Sequence, residues 1–273
     1  MGGYLPIVGA AMSIAEFDEH REWMLEKQRP LELQDFVPGD VLNGNWEHLA
    51  DEVLAKLEGF DGPLGIHGPF WNLDISAADP DIRKVVQKRL DQGLEVCRKI
   101  KATHMVVHSP YTNWDHHNLD QYDQGHAFKL ECIHENLRAA VAKAEDIGCT
   151  LMIENIEDVD PNVRVDLVKS FNSDAVAVSL DTGHAYYAHG STGAPPVDYY
   201  VKAAGALLKH VHLQDADGYA DRHWAMGEGT LKWEPLFRAF QKYTNHPRLI
   251  IELANNKELP KAAQYLLDQR LAQ

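Results

Sequence analysis

Val176-Ala-Val-Ser-Leu-Asp-Thr-Gly-His184 is an apolar, β-branched run of strand length that breaks into an acid, a glycine and a histidine. A continuous apolar run of this length, bounded by a turn signal, is the pattern of a strand buried on both faces. Working outward, the same design recurs at Pro6–Met12, Leu31–Phe36, Pro63–Phe70, His104–Pro110, Thr150–Asn155, Leu207–Asp215 and Arg248–Leu253. Between the runs lie stretches of helical period. Asp79-Pro80 supplies an N-cap and a proline at the first helical position. Ile82, Val85, Val86, Leu90, Leu94, Cys97 and Ile100 then share one face. The segment 127–147 repeats the pattern and stops at Gly148. Eight strands alternating with helices argue for parallel β-α units. Within 273 residues they fit an α/β fold, a single (β/α)8 TIM barrel of about 250 residues. A doubly wound open sheet is the rival, but no Gly-x-Gly-x-x-Gly follows the first strand. With no repeat, low-complexity tract or linker, residues 1–273 read as one domain. Three polar, glycine-containing connections, 111–125, 185–196 and 213–231, read as long loops.

The strand ends carry an unusual set of side chains. His67 stands near the end of strand 3, His108 ends strand 4 and Glu154 ends strand 5. Asp181 and His184 end strand 6, His212 lies in strand 7, Asp221 and His223 follow in its loop, and Glu252 ends strand 8. In a barrel these positions form the C-terminal rim, where active sites are built. Any one of them alone is an ordinary capped or solvated polar group. Nine together, with Arg222 the only cation inside these motifs, need a counter-charge, because buried charges are costly without partners. A divalent cation supplies it. Mixed His, Asp and Glu ligation without cysteine points to zinc or manganese. His210 and His212 face the same side of strand 7, and His210 lies one layer deeper.

Charge narrows the partners. There are 26 Lys plus Arg against 41 Asp plus Glu, for a formal net charge of −15. The segments 111–125 and 185–196 contain no Lys or Arg. Nucleic acid is therefore a disfavoured partner. Phe70, Trp71, Trp114, Tyr186 and Trp224 suit the wall of a small-molecule pocket better than a base-stacking platform. No long apolar run suggests a membrane span. Three widely spaced cysteines, Cys97, Cys132 and Cys149, read as buried free thiols, and Met1-Gly-Gly-Tyr-Leu-Pro6 does not read as a secretory leader. The expectation is a cytoplasmic protein, with self-association into a homo-oligomer left open.

His67-Gly-Pro-Phe, His108-Ser-Pro-Tyr, Ile153-Glu-Asn, Leu180-Asp-Thr-Gly-His, His212-Leu-Gln-Asp, Asp221-Arg-His, Gly227-Glu-Gly and Ile251-Glu follow one another in this order. The ordered set resembles the xylose isomerase-like, endonuclease IV-like TIM-barrel superfamily over strands 3 to 8. The sugar isomerase and epimerase branch holds one divalent ion, and the resemblance implies Glu154, Asp181, His212 and Glu252 as its ligands here. The repair endonuclease branch holds three zinc ions. There the resemblance implies His67, His108 and Glu154 for the first, and Glu154, Asp181, His212 and Glu252 for the second. His184, Asp221 and His223 would bind the third. The acidic rim favours the former branch. The expectation is a metal-dependent isomerase or epimerase of a small sugar, sugar phosphate or polyol-derived ketone, working through an enediolate with one to three divalent ions. Glu154 and Glu252 are the expected proton-transfer pair, and His184 and Arg222 the substrate-orienting side chains. A multinuclear zinc phosphoesterase is the alternative, and a dehydratase or lyase ranks third.

Overall fold

Each apolar run contains a strand: β1 Val8–Met12, β2 Leu31–Leu33, β3 Leu64–His67, β4 His104–His108, β5 Thr150–Glu154, β6 Val176–Asp181, β7 Leu208–Leu213 and β8 Arg248–Ile251. The computed structural model describes residues 5–273, so Met1–Tyr4 of the segment read for a leader lie outside the described residues. The strands pair in parallel in chain order, and β8 pairs with β1 to close the barrel. Every residue of β1, β2, β3 and β6 is buried, as helices on the outside and side chains within require. The expected (β/α)8 TIM barrel is the observed architecture.

Register places the rim. His108 stands beside Glu154 across β4 and β5, and Asp181 stands beside His212 across β6 and β7. A register shift at Val178/Ser179 precedes the second pairing. The helix Pro80–Ile100 starts where Asp79 accepts from the backbone of Asp81 and Ile82. The helix Gly125–Ile147 ends at Gly148, whose φ of 69° is the left-handed region that glycine tolerates.

Two of the expected loops are corrected. Thr182–Thr192 is an α-helix covering much of 185–196, with Asp181 as its cap: the Asp181 carboxylate accepts from His184 N at 2.7 Å. Gly183, Gly190 and three β-branched or hydroxyl residues gave this segment little helical propensity. Packing overrides it, since Ala185 and Ala188 are buried and Gly183 lies against the Gln214 side chain. Within 111–125, Asn113–Asn118 is helical, opened by a capping box between Thr112 and Asp115. The segment 213–231 remains a long connection. Asp215 ties it down by accepting from the backbone of Gly227 and Leu231 and from Trp233 Nε1. No helix among the described residues is long and apolar enough to cross a membrane. Cys97, Cys132 and Cys149 are buried free thiols.

The barrel interior is not purely aliphatic. A Cβ on Gly65 would lie 1.8 Å from Cε1 of His104, so the strand is bare there because an imidazole fills the space. Glu32, Ser179, His210 and His104 are all wholly buried.

Candidate metal centre

The nine rim residues converge in three groups. His67, His108 and Glu154 form one; Glu154, Asp181, His212 and Glu252 form a second; His184, Asp221 and His223 form a third. Within each group one atom per residue lies within 4.8 Å of all the others. Glu154 connects the first two through its separate oxygens. Oε2 is 3.6 Å from His67 Nε2 and 3.8 Å from His108 Nε2, while Oε1 is 3.0 Å from His212 Nδ1. Glu252, one residue past β8, brings Oε2 to 3.3 Å from His212 Nδ1. Its Oε1 accepts from Gln34 Nε2 at 2.7 Å. His184 leaves the first turn of the helix after β6, and its ring lies between Asn155 O, 3.0 Å from Nδ1, and Asp221 Oδ2, 3.3 Å from Nε2.

His223 has φ of 49°, a left-handed conformation that a non-glycine residue adopts at some cost. The surroundings enforce it: His223 N donates to Gln214 Oε1 at 2.8 Å, and Ala254 N donates to His223 O at 3.0 Å. Gln214 is the hub of the rim. Its Nε2 also donates to Asp181 Oδ1 at 3.1 Å and to Asp221 Oδ1 at 2.9 Å, joining the second and third groups.

The electrostatics are those of a site built around a cation. Burial pushes the Asp181 carboxyl up to about 6 and the His108 imidazole down to about 3. Burial also opposes charge on His212, but the Glu252, Glu32 and Glu154 carboxylates outweigh it and hold the imidazole well above its ordinary value. His223 is likewise held up to about 9, against its burial, by Asp221 and Glu252. Glu154, despite complete burial, is held well below the usual carboxylate range by His212 and His67. Protons on imidazoles thus stand in for a positive charge. Even so, the buried Glu154 Oε2 and Asp181 Oδ2 accept no hydrogen bond from the described residues. Orphaned buried carboxylate oxygens, that of Glu154 facing His67 and His108, fit a divalent metal ion, and the mixed N and O donor set suits a borderline one.

The rim floors a cavity of about 510 Å³, within the range of small-molecule sites. Its wall is polar below, with His67, His108, Glu154, His184 and Glu252, and apolar above, with Val37, Phe70 and Trp71. A slightly larger groove of about 590 Å³ lies outside the barrel by Trp233 and Tyr265, but it holds no such cluster. Arg222 does not join the expected site residues. Its guanidinium donates to Asp217 Oδ2 from Nε at 3.0 Å and from Nη2 at 2.8 Å, and it does not line the cavity. An acid five residues before it in the same loop captured it. Trp114, Tyr186 and Trp224 also lie outside the cavity wall.

Sequence reasoning missed Glu32 and His104. A visible signal existed for Glu32, an acid flanked by Leu31 and Leu33 within a three-residue strand buried throughout. Nothing comparable marked His104, which opens its strand beside the polar turn at Thr103.

The chain belongs to the xylose isomerase-like TIM barrel family, whose model matches residues 32–270. An uncharacterized protein of Methanocaldococcus jannaschii is 23% identical over 224 residues, 78% of this chain and 72% of that one. The fructoselysine 3-epimerase of Escherichia coli O157:H7 is 31% identical over 109 residues, 38% of each chain. Among solved structures, a D-tagatose 3-epimerase-like protein superimposes with a TM-score of 0.76 at 19% identity, covering 97% of both chains. A Thermus thermophilus protein soaked with ZnCl2 has a TM-score of 0.71 at 23% identity, covering 96% of this chain and 98% of that one.

Proposed function

We propose that the protein is a divalent-metal-dependent epimerase or isomerase of a small, uncharged ketose. The observation that carries this reading is the meeting of two carboxylates, Glu154 and Glu252, at His212 Nδ1 on the floor of one cavity. Similarity to proteins named fructoselysine 3-epimerase and D-tagatose 3-epimerase-like supports the reaction class.

Glu154, Asp181, His212 and Glu252 would hold the ion, zinc or manganese, which as a Lewis acid acidifies the carbon between a carbonyl and a neighbouring hydroxyl. The rest falls to the chain. One carboxylate takes the carbon-bound proton, giving an enediolate, and the other returns a proton to the opposite face. For epimerisation the two must approach the carbon from different sides, and their origins on β5 and beyond β8 supply different directions. Gln34 donates to Glu252 Oε1 and fixes the direction in which that carboxylate points. His184 lines the cavity, and a substrate hydroxyl would reach its Nε2 only in exchange for Asp221. Phe70, packed on the His67 and His108 rings, and Trp71 supply the apolar part of the wall. The residues lining the cavity include no Lys or Arg, which favours an uncharged sugar over its phosphate.

The test is incubation of the zinc- or manganese-loaded protein with a panel of free ketoses, followed by carbon NMR. Appearance of a C3 epimer or an aldose isomer supports the reading, and an inert panel opposes it.

One observation favours a second reading. The nine ligands fall into three groups, as a three-ion phosphoesterase requires. Against it stand the net charge of −15 and the absence of Lys and Arg from the cavity wall. Incision of an abasic-site duplex separates the two.

A further inference from the structure

Beneath the rim, the second layer of the barrel holds a chain of buried polar groups that the proposed chemistry does not use. Glu32 projects inward from β2, and its Oε1 accepts from His212 Nε2 at 2.8 Å. Its Oε2 lies 3.0 Å from His210 Nε2. On its other side, His210 Nδ1 is 2.9 Å from Ser179 Oγ, a hydrogen-bond separation. His104 Nε2 is 3.4 Å from the same Glu32 oxygen but accepts from Arg248 Nη1 at 3.2 Å. Arg248 in turn donates to Thr103 Oγ1 at 3.0 Å. Glu32 is therefore a wholly buried carboxylate with Oε1 paired to His212, while Oε2 and His210 Nε2 approach to 3.0 Å without a hydrogen bond among the described residues, and a guanidinium lies behind the third ring.

The two ring nitrogens of His212 face different acids: Nδ1 faces Glu154 and Glu252 at the rim, and Nε2 faces Glu32 below. A neutral imidazole carries one proton. If that proton sits on Nδ1, the ring offers no lone pair to an ion between Glu154 and Glu252. If it sits on Nε2, the lone pair is at the rim. Carboxylates on the far nitrogen of a ligating imidazole fix its tautomer and raise its basicity.

We infer that Glu32 is a positioning residue, which holds the His212 proton on Nε2 and so presents Nδ1 to a metal ion at the rim. The inference rests on the metal reading proposed above. The rival arrangement is a further ion held directly by Glu32, His210 and His212, whose atoms also lie within 4.8 Å of one another. The 2.8 Å separation of His212 Nε2 from Glu32 Oε1, that of a hydrogen bond, favours the proton.

Two variants test it. Glu32→Gln keeps an acceptor for His212 Nε2–H and the side-chain volume but removes the charge. Glu32→Leu removes both. Zinc affinity is measured by chelator competition, ion content by elemental analysis, and the His212 tautomer by long-range proton–nitrogen correlation in the zinc-loaded protein. The expected result is about tenfold weaker zinc binding for Glu32→Gln with Nε2–H retained, and up to about 100-fold for Glu32→Leu with the Nε2–H signal displaced. Zinc content at saturation stays at the wild-type value. Wild-type affinity in Glu32→Gln overturns the inference. Loss of one full zinc equivalent from Glu32→Gln also overturns it, because Glu32 would then be a ligand. A wild-type protein that takes up no ion overturns the metal reading itself, and the inference with it.

Discussion

Nδ1 of His212 stands 3.0 Å from Oε1 of Glu154, with both groups buried. Only a proton or a cation makes that approach favourable, and binding a cation must displace the proton. We expect the purified protein to retain at least one divalent ion per chain, and Asp181→Ala to lose it together with activity. Elemental analysis reads both. Because His212 and His223 are held above their ordinary values in the ion-free state, protons compete with the metal. Zinc affinity therefore rises from pH 6 to pH 8, and zinc uptake releases protons. A metal-free protein after incubation with zinc or manganese contradicts the site.

An enediolate route exchanges a carbon-bound proton with Glu154 or Glu252. In D₂O the true substrate or product gains deuterium at one carbon. Glu252→Gln lowers this rate by about 10²–10⁴-fold even where the ion is kept, because an amide is not a base. Phosphate release from a phosphorylated sugar with no label at carbon places the chemistry at phosphorus instead.

The cavity wall without Lys or Arg predicts a substrate preference. A charge-assisted hydrogen bond to phosphate contributes about 1.5–3 kcal/mol where it exists. Without one, a ketose phosphate is expected to show kcat/KM at least tenfold below that of the free ketose. The same wall predicts no nicking of abasic duplex at physiological salt. Incision that vanishes in Glu154→Gln establishes the phosphoesterase reading.

The pairing of Arg222 with Asp217 is directly observable. Two guanidinium hydrogen bonds, joined by the backbone N–H of Tyr219, lower the Asp217 carboxyl to about 2. Carbon NMR titration should place it there, and Arg222→Gln should return it toward the ordinary aspartate value. The pair strengthens the loop above that range and loses its contribution as pH falls through about 2.

Arg164 is buried beside Asp158, with Nε 3.4 Å from Oδ1, and its guanidinium also donates to the carbonyls of Ile153 and Ser179. These carbonyls belong to the strands that carry Glu154 and Asp181. Arg164→Met leaves Asp158 buried without its partner and should cost about 3–5 kcal/mol in urea unfolding. Burial already raises the Asp158 carboxyl above its unfolded value. Removing the guanidinium raises it further, so the loss is largest at neutral pH, where the carboxylate is ionised, and shrinks as pH falls through the variant's still higher value. Asp158→Asn in the same background should recover part of it.

The barrel was legible because parallel strands buried on both faces read as apolar runs, and because the last six runs carried a ligand-type residue at or near their ends. His67, His108, Glu154, Asp181 and His212 sit at or beside observed strand ends for that reason. The helix Thr182–Thr192 was not legible, since its glycines and hydroxyl residues gain their order from Gln214 and Gly218 across the rim. Arg222 stands between Asp221 and His223 in sequence, but its guanidinium is held by Asp217, a contact that adjacency to the rim ligands does not reveal. Glu32 was hidden for a different reason: its partners, His210 and His212, come from β7, 180 residues away in the case of His212, and no local pattern carries such a contact.

Glu154 offers Oε2 to one group of histidines and Oε1 to the group with Asp181 and Glu252. A carboxylate divided in this way makes occupancy of the two groups interdependent. An ion on one oxygen fixes the rotamer of the other, draws electron density from it, and repels a second cation nearby. If both groups take up zinc, successive equivalents are expected to bind with unequal affinities and to give a stepped titration curve. Ion counts taken below saturation then record how much metal a preparation met and in what order, so stoichiometry has meaning only at the plateau.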